Sequence, residues 1–270
     1  MAEIFIVFSG IMGAAVGSFL SVAAARLPRG EGIIWRRSRC PRCAATLGPF
    51  ELIPLVSFLA QRGRCRHCRL RLSLQYPFLE LATAALFLLS AYVCRTAVGA
   101  CFGVFPLVLW WFFLSVLLLI AVIDYRHLVV PEGVVAGAFL VALIARGIFA
   151  PATLVNALMA AALGGGLFWL LVLVSHERWM GMGDAYVGAL LGIVLGWPVL
   201  GAALIGASLL GGLCGAGLLL SNRKRLGDEL PFAPFLVAGG MLAFFGMPLA
   251  ADLASGSLSL LWHALFLFSN

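Results

Sequence analysis

The sequence predicts an all-α membrane protein, a polytopic bundle of about eight transmembrane helices with one small polar insertion. Hydrophobic residues make up 63% of the 270-residue chain and charged residues only 11%, whereas a soluble domain averages about 25% charged residues. The apolar residues are gathered in runs long enough to cross a bilayer, which takes about 17–25 residues. The basic residues are gathered as well, since 11 of the 18 lie between Arg26 and Arg71.

The candidate spans are eight apolar runs separated by polar stretches or by glycine and proline. They cover residues 4–25, 77–94, 102–123, 132–150, 153–175, 184–199, 200–220 and 231–250. We place the turn between the sixth and seventh runs at Gly196-Trp197-Pro198, because glycine and proline interrupt helices. The chain is thus predicted to contain a first transmembrane helix at 1–25, an insertion at 26–76 and a membrane bundle at 77–270.

The first run predicts an uncleaved span with its N-terminus outside the cell. Met1-Ala2-Glu3 offers no positively charged leader region, and the basic residues follow the apolar run, which is unlike a secretory signal. With this orientation the stretches on the inside are 26–76, 124–131, 176–183 and 221–230. They hold 16 of the 18 Lys and Arg residues, in agreement with the positive-inside rule.

The insertion carries two cysteine pairs, Cys40-Pro41-Arg42-Cys43 and Cys65-Arg66-His67-Cys68, with 21 residues between them. This spacing is close to that of zinc ribbons, and four thiolates complete a tetrahedral structural zinc site. Two disulfides are the alternative, but disulfides persist in oxidising compartments, and the predicted orientation puts the insertion in the cytoplasm. We therefore expect a cytoplasmic zinc-binding insertion whose ligands are Cys40, Cys43, Cys65 and Cys68.

Two aspartates stand at the ends of predicted spans, Asp124 after Ile123 and Asp184 in Gly181-Met182-Gly183-Asp184. A charged residue at the centre of a membrane helix costs about 2.5–3.5 kcal/mol on insertion scales, so such residues usually mark function. The orientation puts both aspartates at the cytoplasmic face, where two carboxylates that meet could share a proton as in aspartic proteases. The alternatives are separate roles, with Asp124 paired to Arg126 and Asp184 as a helix N-cap.

Further motifs occur in order over nearly the whole chain. They are Gly17-Ser18-Phe19-Leu20-Ser21, Arg26-Leu27-Pro28, the two cysteine pairs, Tyr76-Pro77 with Glu80, Asp124 followed by Pro131, Gly181-Met182-Gly183-Asp184, and Pro231-Phe232-Ala233-Pro234-Phe235. Taken together, these motifs resemble those of the bacterial type IV prepilin peptidases, which are GxGD aspartic proteases. The chain departs from the family pattern at Ser21, Tyr186 and Glu132.

The resemblance implies a bifunctional enzyme of the cytoplasmic membrane. Such enzymes cut the short basic leader from prepilins and pseudopilins at the cytoplasmic face, and N-methylate the new N-terminus with S-adenosylmethionine. Carried over by motif, Asp124 and Asp184 are the catalytic pair and the four cysteines hold zinc. The implied partners are the substrate helix and membrane lipid, whose anionic headgroups the basic insertion would meet. We expect the basic leader to be recognised by Glu31, Glu51 or Glu80.

Other functions remain as alternatives. A different GxGD intramembrane protease would leave the cysteine insertion unexplained. A proton-coupled transporter would carry its carboxylates near the bilayer midplane, between inverted repeats. A non-enzymatic membrane scaffold predicts that the aspartates can be replaced without loss of function. The net charge of +7 is concentrated in the insertion, on the predicted cytoplasmic side of the membrane, so we do not expect nucleic-acid binding.

Overall fold

The computed structural model describes residues 2–33, 37–40, 42–96, 104–223, 225 and 230–253. Within these ranges the regular structure is helical. The α-helices are α1 Ala2–Arg26, α2 Val56–Ala60, α3 Gln75–Thr96, α4 Val104–His127, α5 Glu132–Phe149, α6 Pro151–Ser175, α7 Met182–Leu195, α8 Val199–Leu220 and α9 Ala233–Leu253. Six of them are long and apolar enough to cross a membrane, and α7 and α9 contain shorter apolar helices. The predicted all-α membrane fold is confirmed.

The chain divides into two compact units, residues 1–115 and 116–270, and the division falls within α4. The boundaries at 25 and 76 that the sequence suggests stay a prediction. The end of the predicted 77–270 bundle, from residue 254 onward, lies outside the described residues.

In the N-terminal unit, α1 and α3 pack along each other with glycine at the contact. A Cβ atom at Gly17 would lie 2.7 Å from the Cα atom of Glu80, so only glycine allows this approach. Farther along the unit, the ring of Trp111 stacks on Phe87 at 4.8 Å, and its indole N–H donates to the hydroxyl of Ser90 over 2.8 Å. The close packing fixes the first turns of α3, and therefore Glu80, against α1.

The insertion between α1 and α3 has almost no apolar core. Among its described residues from Leu27 to Leu74, the buried side chains are those of Cys40 and Cys65. Large apolar side chains such as Phe50 and Leu59 are exposed instead. A segment of this kind needs another source of stability, such as a metal ion.

In the C-terminal unit, α7 is the enclosed helix. Ten of its 14 residues are buried, and it packs against α5, α6, α8 and α9. Gly188 of α7 lies so close to Gly164 of α6 that a Cβ atom on Gly188 would meet the Gly164 carbonyl oxygen at 2.7 Å. This central helix carries Asp184 in its first turn.

The end of α7 is held by polar contacts from neighbouring helices. Arg146 of α5 is buried, and its guanidinium donates to the carbonyl oxygens of Ile193 and Val194 over 3.1 and 2.8 Å. The last carbonyls of a helix lack partners within it, and in an apolar surrounding another group of the protein must satisfy them. Gly196 follows with φ near +70°, which confirms the turn predicted there.

Candidate active site and metal centre

Asp124 lies in the last turn of α4, and its side chain is only 6% exposed. Its Oδ2 atom accepts a hydrogen bond of 3.2 Å from the backbone N–H of Ala233, the first residue of α9. The N-terminus of a helix carries partial positive charge, which stabilises a carboxylate placed there. The contact therefore joins the end of α4 to the beginning of α9 through the carboxylate itself.

Asp184 is the third residue of α7, and it is 9% exposed. The residue at the N-cap position is Gly181, and no side chain makes a capping hydrogen bond there. The alternative role of Asp184 as an N-cap is therefore wrong. Asp184 nevertheless lies in the first turn of α7, where the helix dipole favours a carboxylate.

Gly183 brings the start of α7 close to the segment that follows α4. A Cβ atom at this position would lie 2.6 Å from the Cγ2 atom of Val130, which belongs to the connection between α4 and α5. Only glycine allows that approach, and it draws Asp184 toward the end of α4, where Asp124 lies. The two carboxylates are close enough to interact electrostatically.

This arrangement suits acid–base chemistry. Two carboxylates that repel each other in a site of low dielectric share a proton, so that one is the acid and the other the base. The Ala233 N–H stabilises charge on Asp124, and no such donor contacts Asp184 in the part of the chain that the structure describes. Among the described residues, the two carboxylates therefore differ in their hydrogen bonding.

The tetracysteine cluster is built from two copies of the same backbone turn. In each copy, the N–H of the first cysteine donates to the carbonyl five residues later, and the N–H four residues later donates back to the carbonyl of that cysteine. The bonds are Cys40 to Ala45 and Ala44 to Cys40, both 2.9 Å, and Cys65 to Leu70 at 2.9 Å and Arg69 to Cys65 at 2.8 Å. The copies are 25 residues apart, a repeat that sequence reasoning missed because few residues besides the cysteines are shared, among them Arg39 with Arg64 and Leu47 with Leu72.

The four sulfurs fit a single metal ion. The Sγ atoms of Cys40, Cys43, Cys65 and Cys68 all lie within 4.8 Å of one another, and those of Cys40 and Cys68 are 4.0 Å apart. Four sulfurs at about 2.3 Å from a tetrahedral zinc ion would be about 3.8 Å apart. Two separate disulfides would require only that the sulfurs approach each other in pairs, whereas here each sulfur lies within 4.8 Å of the other three. The cluster could therefore hold a metal ion.

The thiols themselves show why a cation fits. Burial raises the pKa of the Cys40 thiol, but hydrogen bonds from the backbone of Cys43 and Arg42 and from the Cys65 and Cys43 thiols lower it to about 7. At Cys43 the backbone N–H of Ala45 lowers the pKa, yet partial desolvation and the other three thiols raise it to about 11. The cluster thus stabilises a thiolate at Cys40 and disfavours a second thiolate at Cys43. A bound cation would offset the repulsion between the two thiolates.

The N-terminal unit also contains an open cavity of about 840 Å³ with a mixed polar and apolar lining. Its walls come from the end of α1, the cysteine turns, α2 and the start of α3, and two of the cysteines, Cys40 and Cys65, belong to its lining. The same lining includes Glu31, Glu51 and Glu80, the three acidic residues that the sequence singles out in this region. Binding sites for small molecules usually have volumes of about 300–1,000 Å³.

Sequence reasoning missed two residues that position the site. The contact of Ala233 with Asp124 uses a backbone N–H, which has no signature in the sequence beyond the prolines on either side. Arg146 is one of the two basic residues that the predicted orientation leaves outside the four inner stretches. Its isolation within an apolar run was the available sign of a buried role.

The fold and the sites together define a class: a polytopic membrane protein with two buried aspartates at helix ends in one unit and a tetracysteine module in the other. Family models agree, since residues 11–94 match the bacterial peptidase A24 N-terminal domain and residues 111–216 match the type IV leader peptidase family. The chain belongs to the type IV leader peptidase family. With its apolar helices, it is a multi-pass protein of the inner membrane.

Curated relatives carry the name prepilin leader peptidase/N-methyltransferase. The relative from Bacillus subtilis is 38% identical over 238 residues, which is 87% of this chain and 91% of the relative. The relative from Pseudomonas aeruginosa is 33% identical over 267 residues, covering 88% of this chain and 89% of the relative. The relative from Myxococcus xanthus is 36% identical over 206 residues, which is 73% of this chain and 58% of the relative. No solved structure matches the chain significantly.

Proposed function

We propose that the chain removes the leader from type IV prepilins or pseudopilins and N-methylates the new N-terminus, with Asp124 and Asp184 as the catalytic pair. One observation carries the proposal: two buried carboxylates interact electrostatically inside residues 111–216, the part that matches the leader peptidase family. The names of the relatives supply the substrate class and the second activity.

The two aspartates take different roles in cleavage. Asp124, held by the Ala233 N–H, is the ionised base that removes a proton from water, and the water oxygen bonds to the scissile carbonyl carbon. Asp184 is the acid that protonates the leaving nitrogen as the carbon–nitrogen bond breaks. The products are a leader carboxylate and a pilin with a free N-terminal amine.

The tetracysteine cluster takes a structural zinc ion in this proposal. The insertion would lie in the cytoplasm, as the distribution of Lys and Arg indicates, and cytosolic thiols stay reduced. Zinc favours sets of four thiolates at this spacing. Cys40, Cys43, Cys65 and Cys68 would hold it, and their two backbone turns would be joined through the metal.

Methylation requires a donor and a free amine. When bound, S-adenosylmethionine supplies a methyl group that the pilin amine nitrogen accepts while the carbon–sulfur electron pair stays on sulfur and the amine loses a proton. The cavity of the N-terminal unit has the volume and the mixture of carboxylates and arginines that suit such a ligand. Cleavage by Asp124 and Asp184 would produce the free amine that is then methylated.

The test is mass spectrometry of a pilin co-expressed with this chain. We expect a pilin that lacks its leader and carries one added methyl group at its N-terminus. A pilin that keeps its leader in the presence of the wild-type chain contradicts the peptidase proposal. A shortened but unmethylated pilin contradicts the methyltransferase proposal alone. Membrane vesicles with a proton gradient serve as the comparison, since a transporter would show uptake without any change in the pilin.

A further inference from the structure

The chain between the two cysteine pairs turns most of its apolar side chains outward. Residues 49–60 form a short turn of helix, Pro49–Leu52, and the helix α2, Val56–Ala60. Their large exposed side chains are Phe50 at 83%, Leu52 at 41%, Ile53 at 42%, Val56 at 59% and Leu59 at 74%. So many neighbouring apolar side chains on a surface mark a contact with another protein or with a membrane.

The polar side chains of this segment lie on its other side. Residues 49–60 contain two of them, Glu51 and Ser57, and both line the cavity of the N-terminal unit. The Gly48 N–H donates to Oε2 of Glu51 over 2.8 Å, which keeps this carboxylate turned inward. An element that faces water has its polar side chains outside. The segment has the opposite arrangement, which suits an apolar surrounding.

A hydrogen bond fixes the depth of this segment along α3. The Leu55 N–H donates to Oε2 of Glu80 over 2.8 Å, and the backbone of Glu80 lies against Gly17 of α1. The candidate span of α3 begins at Gln75, so Glu80 lies about 7.5 Å farther along the helix axis. The polar boundary of a bilayer is about 5–8 Å thick on each side. Leu55 therefore lies at the level of this boundary.

The surface at this level is apolar, with basic residues next to it. Phe78 and Leu81 of α3, on either side of Glu80 in the sequence, are 73% and 58% exposed, as expected of side chains that face lipid. Arg62 and Arg64 follow α2 directly, and both are exposed. Exposed apolar side chains beside arginines are typical of elements that lie in the interface of an anionic membrane.

We propose that residues 49–60 form an interfacial anchor, whose exposed apolar side chains enter the acyl-chain region of an anionic bilayer while Arg62 and Arg64 bind lipid phosphates. The sequence predicts that the basic insertion meets lipid headgroups. The structure adds an apolar element that enters the bilayer itself. The proposal concerns the N-terminal unit alone, so it stands or falls independently of the proposed catalytic function.

The anchor is joined directly to the second cysteine turn. The Gly63 N–H donates to the carbonyl oxygen of Phe58 in α2 over 2.9 Å, and the Gly63 carbonyl oxygen accepts from the Leu72 N–H over 2.8 Å. Leu72 follows the turn that begins at Cys65. An anchor in the bilayer would therefore hold this turn of the tetracysteine cluster at the membrane surface.

The first test is photo-crosslinking by the full-length protein in nanodiscs of phosphatidylethanolamine and phosphatidylglycerol. The probe variant is Phe50→benzoylphenylalanine. The matched control is Thr46→benzoylphenylalanine, since Thr46 is exposed in the first cysteine turn. We expect at least about tenfold more lipid adduct at position 50, because an apolar side chain of this size favours an apolar medium by that factor or more. Equal lipid adduct at the two positions overturns the proposal.

The same experiment distinguishes other occupants of this surface. Adduct between two copies of the chain, in place of lipid adduct, would identify an interface for self-association. Adduct to a co-reconstituted pilin at the expense of lipid adduct would identify a surface that docks the substrate. Position 50 without any adduct would be exposed to water. Each of these three results overturns the assignment to lipid.

A second test measures cleavage by trypsin after Arg62 and Arg64 in the same nanodiscs. Leu59→Asn should speed this cleavage at least about tenfold, because the burial of a leucine side chain in the bilayer is lost. Ser73→Asn, at an exposed polar position, is the control and should be cleaved at the wild-type rate. Metal content equal to that of the wild type shows that the insertion is still folded. An unchanged rate in a folded Leu59→Asn variant overturns the anchor.

The lipid headgroup is tested with the wild-type protein. In nanodiscs of phosphatidylcholine alone, trypsin should cleave after Arg62 and Arg64 about fivefold faster, because each arginine loses its attraction to an anionic surface. The total number of nanodiscs and the ionic strength are kept the same. Equal rates in the two kinds of nanodisc overturn the role of the two arginines in binding lipid phosphates.

Discussion

The tetracysteine cluster and the carboxylate pair are both small groups of polar side chains, but different forces hold them. In the insertion, two short backbone turns present the sulfurs, and Cys40 and Cys65 are the buried side chains among its described residues. The carboxylates instead lie at the ends of packed helices, and α7 is enclosed by other helices of its unit. The cluster depends on local turns and the pair on tertiary packing.

This difference teaches where each site is vulnerable. A segment without an apolar core depends on its metal for much of its folding free energy. A site at the ends of packed helices depends on how closely those helices approach, which is set by glycines such as Gly183 and Gly188. Loss of the metal should therefore damage the insertion first, and changes of helix packing should damage the carboxylate pair first.

The largest effect should come from the carboxylates themselves. Asp124→Asn or Asp184→Asn should lower the rate of prepilin cleavage about 10²–10⁴-fold, because the pair loses its base or its acid. The metal content should not change. Cleavage assays on purified membranes measure the rate, and Glu177→Gln serves as the control because that carboxylate is exposed. Substantial residual cleavage in either Asn variant would falsify the catalytic pair.

The second largest effect should come from removal of one of the four cysteines that we propose as zinc ligands. Cys40→Ser should reduce bound zinc from about one ion per chain to almost none, since structural sites need all four ligands. The insertion should then become sensitive to protease, whereas the helices of residues 116–253 should stay resistant. Cys214→Ser is the control, because Cys214 is a free, exposed cysteine of α8. Full metal content in Cys40→Ser would remove the zinc assignment.

Arg146 tests the support of α7 without touching either site. Arg146→Met should destabilise the protein by about 1–3 kcal/mol for each carbonyl left unpaired, at Ile193 and Val194. Thermal unfolding in detergent measures the loss, and cleavage should weaken with it at temperatures near unfolding. Arg178→Met provides the comparison, because Arg178 is exposed. Equal unfolding temperatures for the two variants would contradict a bracing role for Arg146.

The smallest effect concerns the packing of α6 on α7. Gly164→Ala should destabilise the protein by about 1–3 kcal/mol, because the added methyl group would press on the backbone of Gly188 and overpacking strains a core. Gly166→Ala, on the same helix, should be neutral or slightly stabilising, since nothing lies within 4 Å of its Cβ position and alanine favours helix. Thermal unfolding curves of the two variants, measured under the same conditions, test this difference. A similar loss of stability in both variants would exclude the close contact at Gly188 as the cause.

Much of the fold follows from the sequence because hydropathy is a local property. The eight predicted runs correspond to α1 and α3–α9, with end points that differ by a few residues. The sixth run ends at Leu195 rather than 199, because Gly196 leaves the helix with a positive φ. The short α2 was not predicted, since its five residues are too few to show a helical period.

The sites were predicted only in part. Spacing reveals the four cysteines, because a tight turn between two of them is encoded by adjacent residues. Spacing also indicates the two aspartates, but their supporting contacts join residues far apart in the chain. The Asp124–Ala233 hydrogen bond spans 109 positions, and the bonds from Arg146 to α7 span 47 and 48. Such pairs leave no local pattern.

By itself, then, the sequence determined the membrane class, the apolar runs, the cluster of four cysteines and the position of the two aspartates at the ends of those runs, because each depends on the composition or spacing of neighbouring residues. Only the tertiary structure decided that the carboxylates interact and that the Ala233 N–H holds one of them. These features depend on which helix ends and turns meet in space. Those contacts depend on how closely the helices pack at glycines and on how the chain brings residues that are far apart in sequence together.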